Sequence, residues 1–343
     1  MPSMRSSESS PAALIAEAEG FASPQVDREE QLTTRAAWLY FVAGLTQAQI
    51  GKKLGINRIR INRLLAQARE QGVVQIRITG RLAECVALEE KLKSRFDLEG
   101  AVVVPTPPNQ SLIPHVIGAA AGNVLAEKLK DGMSVGVGWG RTLRLSLRSV
   151  PRRPLRKLSV VSLMGGLTRG AAMNPHETAS HLADLLDAQC YYIAAPALAD
   201  SEATRDVMLG QPAIRDVFDR IERLDLAMVS VGDLDIKSTI IEVGLVGSDD
   251  IRSLKQAGAA GDLCCHWLDA LGRVVEHPLN RRAIAPPPSA LKQIPCVIVP
   301  SGGPHKVRIL HGALHAGVID VLITDEQTAA GVLALAARFS DRV

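Results

Sequence analysis

Aromatic residues are scarce in this chain of 343 residues, where Phe, Trp and Tyr together make up 3%. Hydrophobic residues nevertheless account for 47% of the sequence, so Ala, Val, Leu and Ile must supply most of the core. Small aliphatic side chains are typical of helices that pack closely on a sheet. A chain of this length is expected to form about two domains.

Long apolar runs are also missing from the sequence. No stretch approaches the roughly 20 apolar residues that a membrane-spanning helix needs. The N-terminal segment MPSMRSSESSPAALIAEAEG lacks the basic region and the following apolar stretch that mark a secretory signal. These observations predict a cytoplasmic protein that has no membrane partner.

Cysteines are few, odd in number and never spaced as CxxC. This usage favours free thiols in a reducing compartment over a disulfide framework. A metal site is not expected, because two adjacent cysteines in a strand point to opposite faces. The five are Cys85, Cys190, Cys264, Cys265 and Cys296.

Positive charge is concentrated in one short segment. Residues 35–78 contain eight Lys or Arg and one acid, a net charge of +7, whereas the whole chain carries +3. The remaining residues therefore sum to −4. Such a basic module is typical of proteins that neutralise the phosphates of DNA.

The same segment has the pattern of a winged helix-turn-helix. Thr46 and Gln49 have the spacing of a capping box, and Gly55 can form the tight turn that the motif requires. Asn57 is expected to cap the third helix. The predicted elements are helices over 34–42, 47–54 and 58–71, followed by a wing strand over 73–78.

The third predicted helix has a basic face opposite an apolar stripe. A recognition helix inserts its N-terminal end into the major groove, so Arg58, Arg60 and Asn62 are best placed for base edges. The other basic residues are expected to contact phosphates. A basic, solvated surface helix is the alternative. The apolar stripe is Ile61, Leu64, Leu65 and Ala68, and the predicted DNA-binding residues are Lys52, Lys53, Asn57, Arg58, Arg60, Asn62 and Arg63.

Beyond residue 100, short apolar runs alternate with helical patterns. Buried strands separated by helices predict a doubly wound, mostly parallel α/β domain. Strands are predicted over 101–104, 134–137, 159–164, 189–194, 226–231, 263–268, 297–299 and 321–323. The predicted boundaries are a mobile tail over 1–32, a helix-turn-helix domain over 33–80, a linker helix within 81–100 and an effector domain over 101–343.

The segment VGVGWGRTL (135–143) lies between a predicted strand and a predicted helix, where ligands bind in such sheets. Gly138 and Gly140 would let the backbone approach an anion, and Arg141 and Thr142 could bind a phosphate. A dinucleotide fold would need GxGxxG and an acid about 20 residues further on, and the sequence provides neither. A purely structural glycine turn is the other alternative.

Further polar residues follow other predicted strands. Gly165 and Gly166 could line the same crevice, and Lys306 in SGGPHK would supply a cation. Asp269, at the end of LCCHWLD, could hold a sugar hydroxyl. Asp325 in ITDEQTA is better explained as a helix N-cap.

Together these segments resemble the SorC family of bacterial sugar-responsive transcriptional regulators. The resemblance covers residues 33–340. It rests on LTQAQIGKKLGI with INRLLAQAREQGVVQIRI, VGVGWGRTL, MGG with NP, GD…DALGR…HPLNRR and SGGPHK…ALHAGVIDVLITDEQTA, in that order. The start RAAWLYFVAGLTQ is similar to regulators of erythritol and related polyol catabolism.

The resemblance implies an effector domain similar to sugar-phosphate isomerases and glucosamine-phosphate deaminases, which acts as a sensor without a cofactor. It implies a homo-tetramer that binds operator DNA and responds to a phosphorylated sugar or polyol. The sequence leaves dimer or tetramer open, and it leaves repressor or activator open, with a repressor favoured. Ala260 stands where some members have a basic residue, so a bisphosphate effector is not expected. The predicted effector-binding residues are Gly138, Trp139, Gly140, Arg141, Thr142, Gly165, Gly166, Asp269 and Lys306.

Two other functions stay open at this stage. One is a sugar-phosphate isomerase or deaminase-like enzyme with a DNA-binding appendage. It would need an acid–base pair with tuned pKa values, for which Asp262, His266 and Asp269 are the candidates. The other is a DNA-binding scaffold without an effector.

Overall fold

The computed structural model describes residues 24–70, 73, 81–168, 174–235 and 238–340. The chain divides into two compact units, residues 1–79 and 80–343. The predicted wing strand over 73–78 lies outside the described residues except for Val73. The same holds for residues 1–23 of the predicted tail.

The first unit is helical in its described part. Its elements are α1 Pro24–Phe41, α2 Gln47–Leu54 and α3 Arg58–Glu70. The prediction of a mobile tail to residue 32 is therefore wrong for residues 24–32, which are the start of α1. These first turns could not be predicted from the sequence because PQVDREEQ has no apolar periodicity. Its proline occupies the first helical position, where its missing N–H costs nothing.

The caps and turn predicted for the helix-turn-helix are confirmed. The Thr46 hydroxyl accepts a hydrogen bond from the Gln49 backbone N–H, and the Gln49 side chain accepts one from the Thr46 N–H at 2.9 Å. Gly55 ends α2 in the left-handed region at a φ of 68°, which a glycine adopts without strain. The Asn57 side chain accepts from the Arg60 N–H at 2.8 Å and so caps α3.

A small apolar core holds these helices together. The predicted stripe of α3 is buried, and it packs with buried residues of α1 and α2. Burial of this stripe fixes which face of α3 remains for a partner. The core consists of Ala36, Ala37, Leu39, Ile50, Ile61, Leu64, Leu65 and Ala68.

The second unit alternates strands and helices. No described helix of the chain is long and apolar enough to cross a membrane. The strands are β1 Gly100–Val104, β2 Ser134–Val137, β3 Ser159–Ser162, β4 Gln189–Tyr191, β5 Leu226–Met228, β6 Val231–Asp233, β7 Gly261–Leu263, β8 His266–Leu268, β9 Val297–Pro300 and β10 Val321–Asp325. The helices are α4 Arg81–Phe96, α5 Ile113–Lys128, α6 Arg141–Ser146, α7 Pro175–Leu186, α8 Glu202–Leu209, α9 Pro212–Ile221, α10 Thr239–Glu242, α11 Ser248–Gln256, α12 Pro288–Leu291, α13 Val307–His315 and α14 Glu326–Ser340.

Seven of the strands form one parallel sheet in the order β1-β10-β9-β5-β2-β3-β4. Alternate residues of a strand belong to different apolar clusters: Val297 and Val299 of β9 to one, and Ile298 to the other. The sheet is thus covered on both faces, as expected for parallel strands joined by helices. The predicted doubly wound, mostly parallel fold is confirmed.

The single strand predicted over 263–268 is wrong, because this segment turns back on itself. β7 and β8 pair antiparallel and extend from β6 as a separate three-stranded sheet. Cys264 and Cys265 form the two-residue turn, with φ of 48° and 60°. Positive φ at both positions gives the turn twist that suits a tight hairpin. The two cysteines therefore do not alternate across a strand.

Candidate functional site

The exposed face of α3 and the end of α2 form a continuous basic surface. The side chains predicted to contact DNA are all exposed there. The buried stripe of α3 lies on the other side of the helix, so the basic face is available to a partner. These side chains are Lys52, Lys53, Asn57, Arg58, Arg60, Asn62 and Arg63.

Gln47, which sequence reasoning missed, connects two of these side chains. Its amide nitrogen donates to Oδ1 of Asn62 at 3.2 Å, and its Oε1 accepts from Nε of Arg58 at 3.3 Å. Arg58 and Asn62 are thereby held in a fixed relation on one side of α3. The signal that would have found Gln47 is its place at the first position of α2, beside the N-terminal turn of α3.

The second unit contains a cavity of about 380 Å³, a size typical of small-molecule sites. It lies beyond the carboxyl ends of the neighbouring strands β2, β5 and β9. The strand order reverses between β2 and β5, and such a switch point opens a crevice in doubly wound sheets. The lining is Gln110, Ser111, Ile113, Pro114, Trp139, Gly140, Arg141, Thr142, Ser230, Val231, Gly232, Asp233, Asp235, Ser238, Thr239, Ile240, Asp262, Ser301, Gly302, Pro304, His305 and Lys306.

A buried ion pair occupies one wall of the cavity. Nζ of Lys306 lies 2.7 Å from Oδ2 of Asp233 and also donates to the Val231 carbonyl at 3.0 Å. Burial alone would raise the pKa of Asp233, but the Lys306 ammonium outweighs it and the pKa lies below its usual value. Burial and the same ammonium lower the pKa of His305, so its imidazole is neutral at pH 7. Lys306 is therefore largely neutralised before any ligand arrives.

Asp262 is a second carboxyl group in this cavity, and it is 2% exposed. Burial raises its pKa to about 6, although the Cys265 amide and the Lys306 ammonium oppose the shift. Its Oδ1 lies against the Cα of Gly232, where any Cβ would collide with it. The antiparallel β6–β7 pair thus brings two Gly-Asp dipeptides together at the cavity.

Another part of the cavity wall carries an arginine and several hydroxyl groups. The Arg141 side chain is 56% exposed, and its guanidinium lies 3.5 Å from Glu242. The buried Ser238 hydroxyl has no hydrogen-bond partner within the described part of the chain. Thr142 and Ser230 add further hydroxyl groups to the lining. This wall offers donors for an anionic or strongly hydrogen-bonding group.

The structure brings five of the predicted effector-binding residues to the cavity: Trp139, Gly140, Arg141, Thr142 and Lys306. Gly140 has a φ of 129°, which lets the chain turn from β2 into α6. Trp139 is 8% exposed and forms an apolar part of the lining.

Gly138, Gly165 and Gly166, which the sequence also predicts to bind the effector, do not line this cavity. Gly138 donates its N–H to the Met228 carbonyl and lies close to β5. A Cβ on Gly165 would collide with the Pro196 backbone, and one on Gly166 would lie 2.8 Å from the His176 ring. These glycines allow close packing of the chain, which explains them without a ligand.

Asp269 does not line the cavity either, because its carboxylate is used within a turn. It accepts hydrogen bonds from the Leu271 and Arg273 N–H groups and pairs with the Arg273 guanidinium at 2.8 Å. The hairpin at Cys264–Cys265 explains this position of Asp269. Reversal of the chain brings Asp262 to the cavity in place of Asp269.

Sequence reasoning missed most of the polar cavity residues. The sequence pattern does not predict a role for Asp233, Ser230, Ser238 or His305, and it suggests Asp262 only as a catalytic group. The signal that could have identified Asp233 is a repeated dipeptide. Gly232–Asp233 follows the mostly apolar run LAMVSV, and a second Gly-Asp dipeptide, Gly261–Asp262, precedes the run LCC. Asp325 is a confirmed cap: it accepts from the Thr328 N–H in α14 and also from the Gly303 N–H beside the cavity.

Two family models match this chain. The family model described as "Putative sugar-binding domain" matches residues 80–334, and the model of sigma-70 region 4 matches residues 38–71. The erythritol catabolism regulatory protein EryD of Brucella abortus is 32% identical over 90% of this chain and 98% of its own length. The transcriptional regulator LsrR of Klebsiella pneumoniae is 33% identical over 90% of this chain and 94% of its own.

A solved structure shows the same arrangement of elements. The full-length sorbitol operon regulator SorC of Klebsiella pneumoniae has a TM-score of 0.69 and 28% identity, and the match covers 90% of this chain and 99% of that one. The family model alone covers more than half of the chain. The chain therefore belongs to the SorC family of DNA-binding transcriptional regulators, in which a helix-turn-helix is joined to a sugar-binding domain.

Proposed function

We propose that the chain represses a carbohydrate or polyol catabolic operon in the cytoplasm and that a phosphorylated sugar or polyol bound in the cavity relieves this repression. The observation that carries the proposal is that the cavity lining combines an exposed arginine and several hydroxyl groups with two carboxyl groups. Arg141 and the hydroxyl groups suit a phosphate. Asp233 and Asp262 suit the hydroxyl groups of the carbon chain. The names of the relatives from Brucella abortus and Klebsiella pneumoniae, which refer to erythritol and sorbitol, support a polyol.

The proposed control is a difference in affinity between two states of the protein. An effector that binds one state better shifts the population by that difference and changes the affinity for operator DNA to the same extent. We propose a homo-oligomer, dimer or tetramer, because two reading helices on a symmetric site double the contacts with DNA. Light scattering of the purified chain measures this directly.

The test is fluorescence anisotropy on DNA from upstream of the chain's own gene, at one salt concentration. Polyol and sugar phosphates are compared with their unphosphorylated parents. The proposal predicts nanomolar binding that a phosphorylated compound weakens and its parent does not. Tight binding that no compound shifts would contradict the effector part alone.

Arg141→Ala tests the phosphate wall. The variant should bind operator DNA as the wild type does but lose at least tenfold in its response to the phosphorylated effector, since a charged hydrogen bond contributes about 1.5–3 kcal/mol. Arg252→Ala is the matched control, because Arg252 is also an exposed arginine beside an acid but does not line the cavity. Quenching of tryptophan fluorescence, measured without DNA in a variant that keeps Trp139 but has Trp38 replaced by Phe, gives a binding signal that does not depend on DNA. An undiminished response in Arg141→Ala would contradict the assignment.

Catalysis is the weaker proposal for this cavity. Of the three candidate acid–base residues, Asp262 lines it, whereas Asp269 and His266 do not. The His266 ring is buried against the Cys264 carbonyl, and burial lowers its pKa to about 4. Turnover of ribose 5-phosphate or glucosamine 6-phosphate that disappears in Asp262→Asn would restore the enzymatic reading.

A further inference from the structure

One apolar side chain interrupts the polar face of α3. Ile59 is 82% exposed and belongs to none of the apolar clusters of the described residues. Isolated exposed aliphatic residues are common on protein surfaces, so exposure alone says little. The position of Ile59 on the helix is what makes it informative.

Ile59 lies at the middle of the face that α3 presents to a partner. Successive residues of an α-helix are rotated by about 100°. The buried residues Ile61, Leu64, Leu65 and Ala68 therefore form a stripe whose centre is roughly opposite Ile59. A helix that docks in the major groove turns the face opposite its own core toward the base pairs. Ile59 is thus the side chain that approaches the floor of the groove most directly.

The neighbours of Ile59 have the chemistry of base contacts. Arg58 and Asn62, joined through Gln47, lie on one side of it, and Arg63 lies on the other. Arginine and asparagine bind the nitrogen and oxygen atoms of guanine and adenine in the major groove. An isoleucine can make none of these hydrogen bonds. The apolar group that base pairs present in this groove is the 5-methyl group of thymine.

We infer that Ile59 reads the 5-methyl group of a thymine, at a base pair next to the one contacted by Arg58 and Asn62. This inference rests on the DNA-binding function of the chain and adds a specificity-determining residue to it. The operator half-site should accordingly contain a thymine whose methyl group contacts Ile59. The adjacent base pair should contain a purine that forms hydrogen bonds with Arg58 and Asn62.

The direct test removes the methyl group from the DNA. Each thymine in the footprint of the full-length protein is replaced by deoxyuridine, one at a time, which leaves base pairing and every hydrogen-bonding atom unchanged. One position in each half-site should show a loss of affinity of roughly three- to tenfold, the size expected for removal of one buried methyl group. Anisotropy titration at fixed salt measures it.

The variant Ile59→Ala assigns that effect to Ile59. It should bind the thymine operator more weakly and show no further loss on the deoxyuridine operator, whereas Ile59→Val should retain most of the difference. Val42→Ala is the matched control, since Val42 is 68% exposed in the same unit but lies outside α3. It should keep the full wild-type sensitivity to the methyl group.

Three results would overturn the inference. The first is an Ile59→Ala variant that retains the thymine dependence of the wild type. The second is an operator at which no replacement of thymine by deoxyuridine lowers the affinity. In that case, a change of oligomeric state in Ile59→Ala would show that Ile59 contacts a second copy of the chain. The third is a wild-type protein that binds operator DNA no more tightly than random DNA. This result would mean that the unit does not recognise a DNA sequence, and it would be seen before any variant is made.

Discussion

Two carboxyl groups of one cavity, Asp233 and Asp262, have pKa values displaced in opposite directions. Asp233 gains an ammonium partner at 2.7 Å, which outweighs the effect of burial. Asp262 is more deeply buried and accepts one backbone hydrogen bond from Cys265, so burial dominates. At neutral pH the first is an ion-paired acceptor, and the second gains or loses its proton close to the working range.

The pKa of Asp262 leads to a prediction about stability. Because its pKa rises from the ordinary 3.8 to about 6 on folding, the folded state binds more protons than the unfolded state between these values. The stabilisation from the neutral form is fully present below about pH 4 and is lost as the pH rises through about 6. Asp262→Asn keeps the shape and cannot ionise. It should therefore match the wild type near pH 4 and be more stable at pH 7–8 by up to about 3 kcal/mol.

Denaturant unfolding at several pH values measures this difference. Asp235→Asn is the control for replacing a carboxylate by an amide, since Asp235 lies in the same cavity but is exposed. A constant difference between Asp262→Asn and wild type from pH 4 to pH 8 would contradict the prediction.

At the scale of elements, the packing of α5 on α6 positions the arginine wall of the cavity. Gly118 and Gly122, one turn apart on α5, face α6 and the residues that follow it. A Cβ on Gly118 would lie 2.9 Å from the Leu145 Cβ, and one on Gly122 would collide with the Ser146 carbonyl oxygen. The close approach allowed by these glycines fixes where α6 begins, and with it Arg141.

Gly122→Ala should therefore act on the ligand site at a distance. The new methyl group must displace α6, because the colliding atom belongs to the backbone. We expect effector affinity to fall at least tenfold while operator affinity without effector stays within twofold, since α3 belongs to the other unit. Trp139 quenching and anisotropy measure the two quantities, and circular dichroism checks the fold.

Gly100→Ala provides the matched control for this substitution. Its Cβ would meet Val321 at 3.5 Å, an ordinary contact, so effector affinity should not change. If Gly122→Ala folds and binds effector as the wild type does, α5 is not what positions Arg141.

The elements predicted from the sequence agree with the structure where local interactions determine them, and they differ from it where the local pattern is ambiguous. Thr46, Gln49 and Gly55 each act on their own backbone or on residues a few positions away, so a local pattern was sufficient. The hairpin at Cys264–Cys265 was not predicted because LCCHWL is mostly apolar and lacks the Gly or Asn that usually marks positive φ. Its omission caused Asp269 to be chosen in place of Asp262.

The cavity was predicted in part for a related reason. The loop after β2 carries glycines, Arg141 and Thr142 within five residues, and this density was visible in the sequence. Asp233 and Asp262 are far apart in the chain and meet only because β6 pairs with β7. Gly165 and Gly166 had the same glycine pattern as a ligand loop, but the group they approach is the Pro196 backbone or the His176 ring. A glycine pattern indicates a close approach without identifying what approaches.

At the scale of the whole molecule, effector and operator DNA are expected to bind to different units, so the binding of each can change the affinity for the other. If the effector weakens operator binding by a given factor, operator DNA must weaken effector binding by the same factor. We expect the effector dissociation constant, measured by Trp139 fluorescence, to increase on addition of saturating operator DNA by the factor found in the anisotropy titration.

Arg58→Ala gives the control for this reciprocity. It should lose roughly 1–3 kcal/mol of specific operator binding and less on random DNA, as expected for a base contact. At operator concentrations that saturate the wild type but not this variant, its effector affinity should not respond to DNA. Unequal factors in the wild type would mean that the effector detected by fluorescence is not the one that releases the operator.

The pairing of Lys306 with Asp233 has a consequence for how such sensors diverge. The carboxylate cancels the charge of the ammonium, so this wall of the cavity does not attract a second anionic group. Asp233→Asn would keep the shape of the wall and release one unit of positive charge toward the ligand. The same scaffold would then favour sugar acids or bisphosphates, so a single side chain would set the charge class of the ligand without any change in the sheet that supports it.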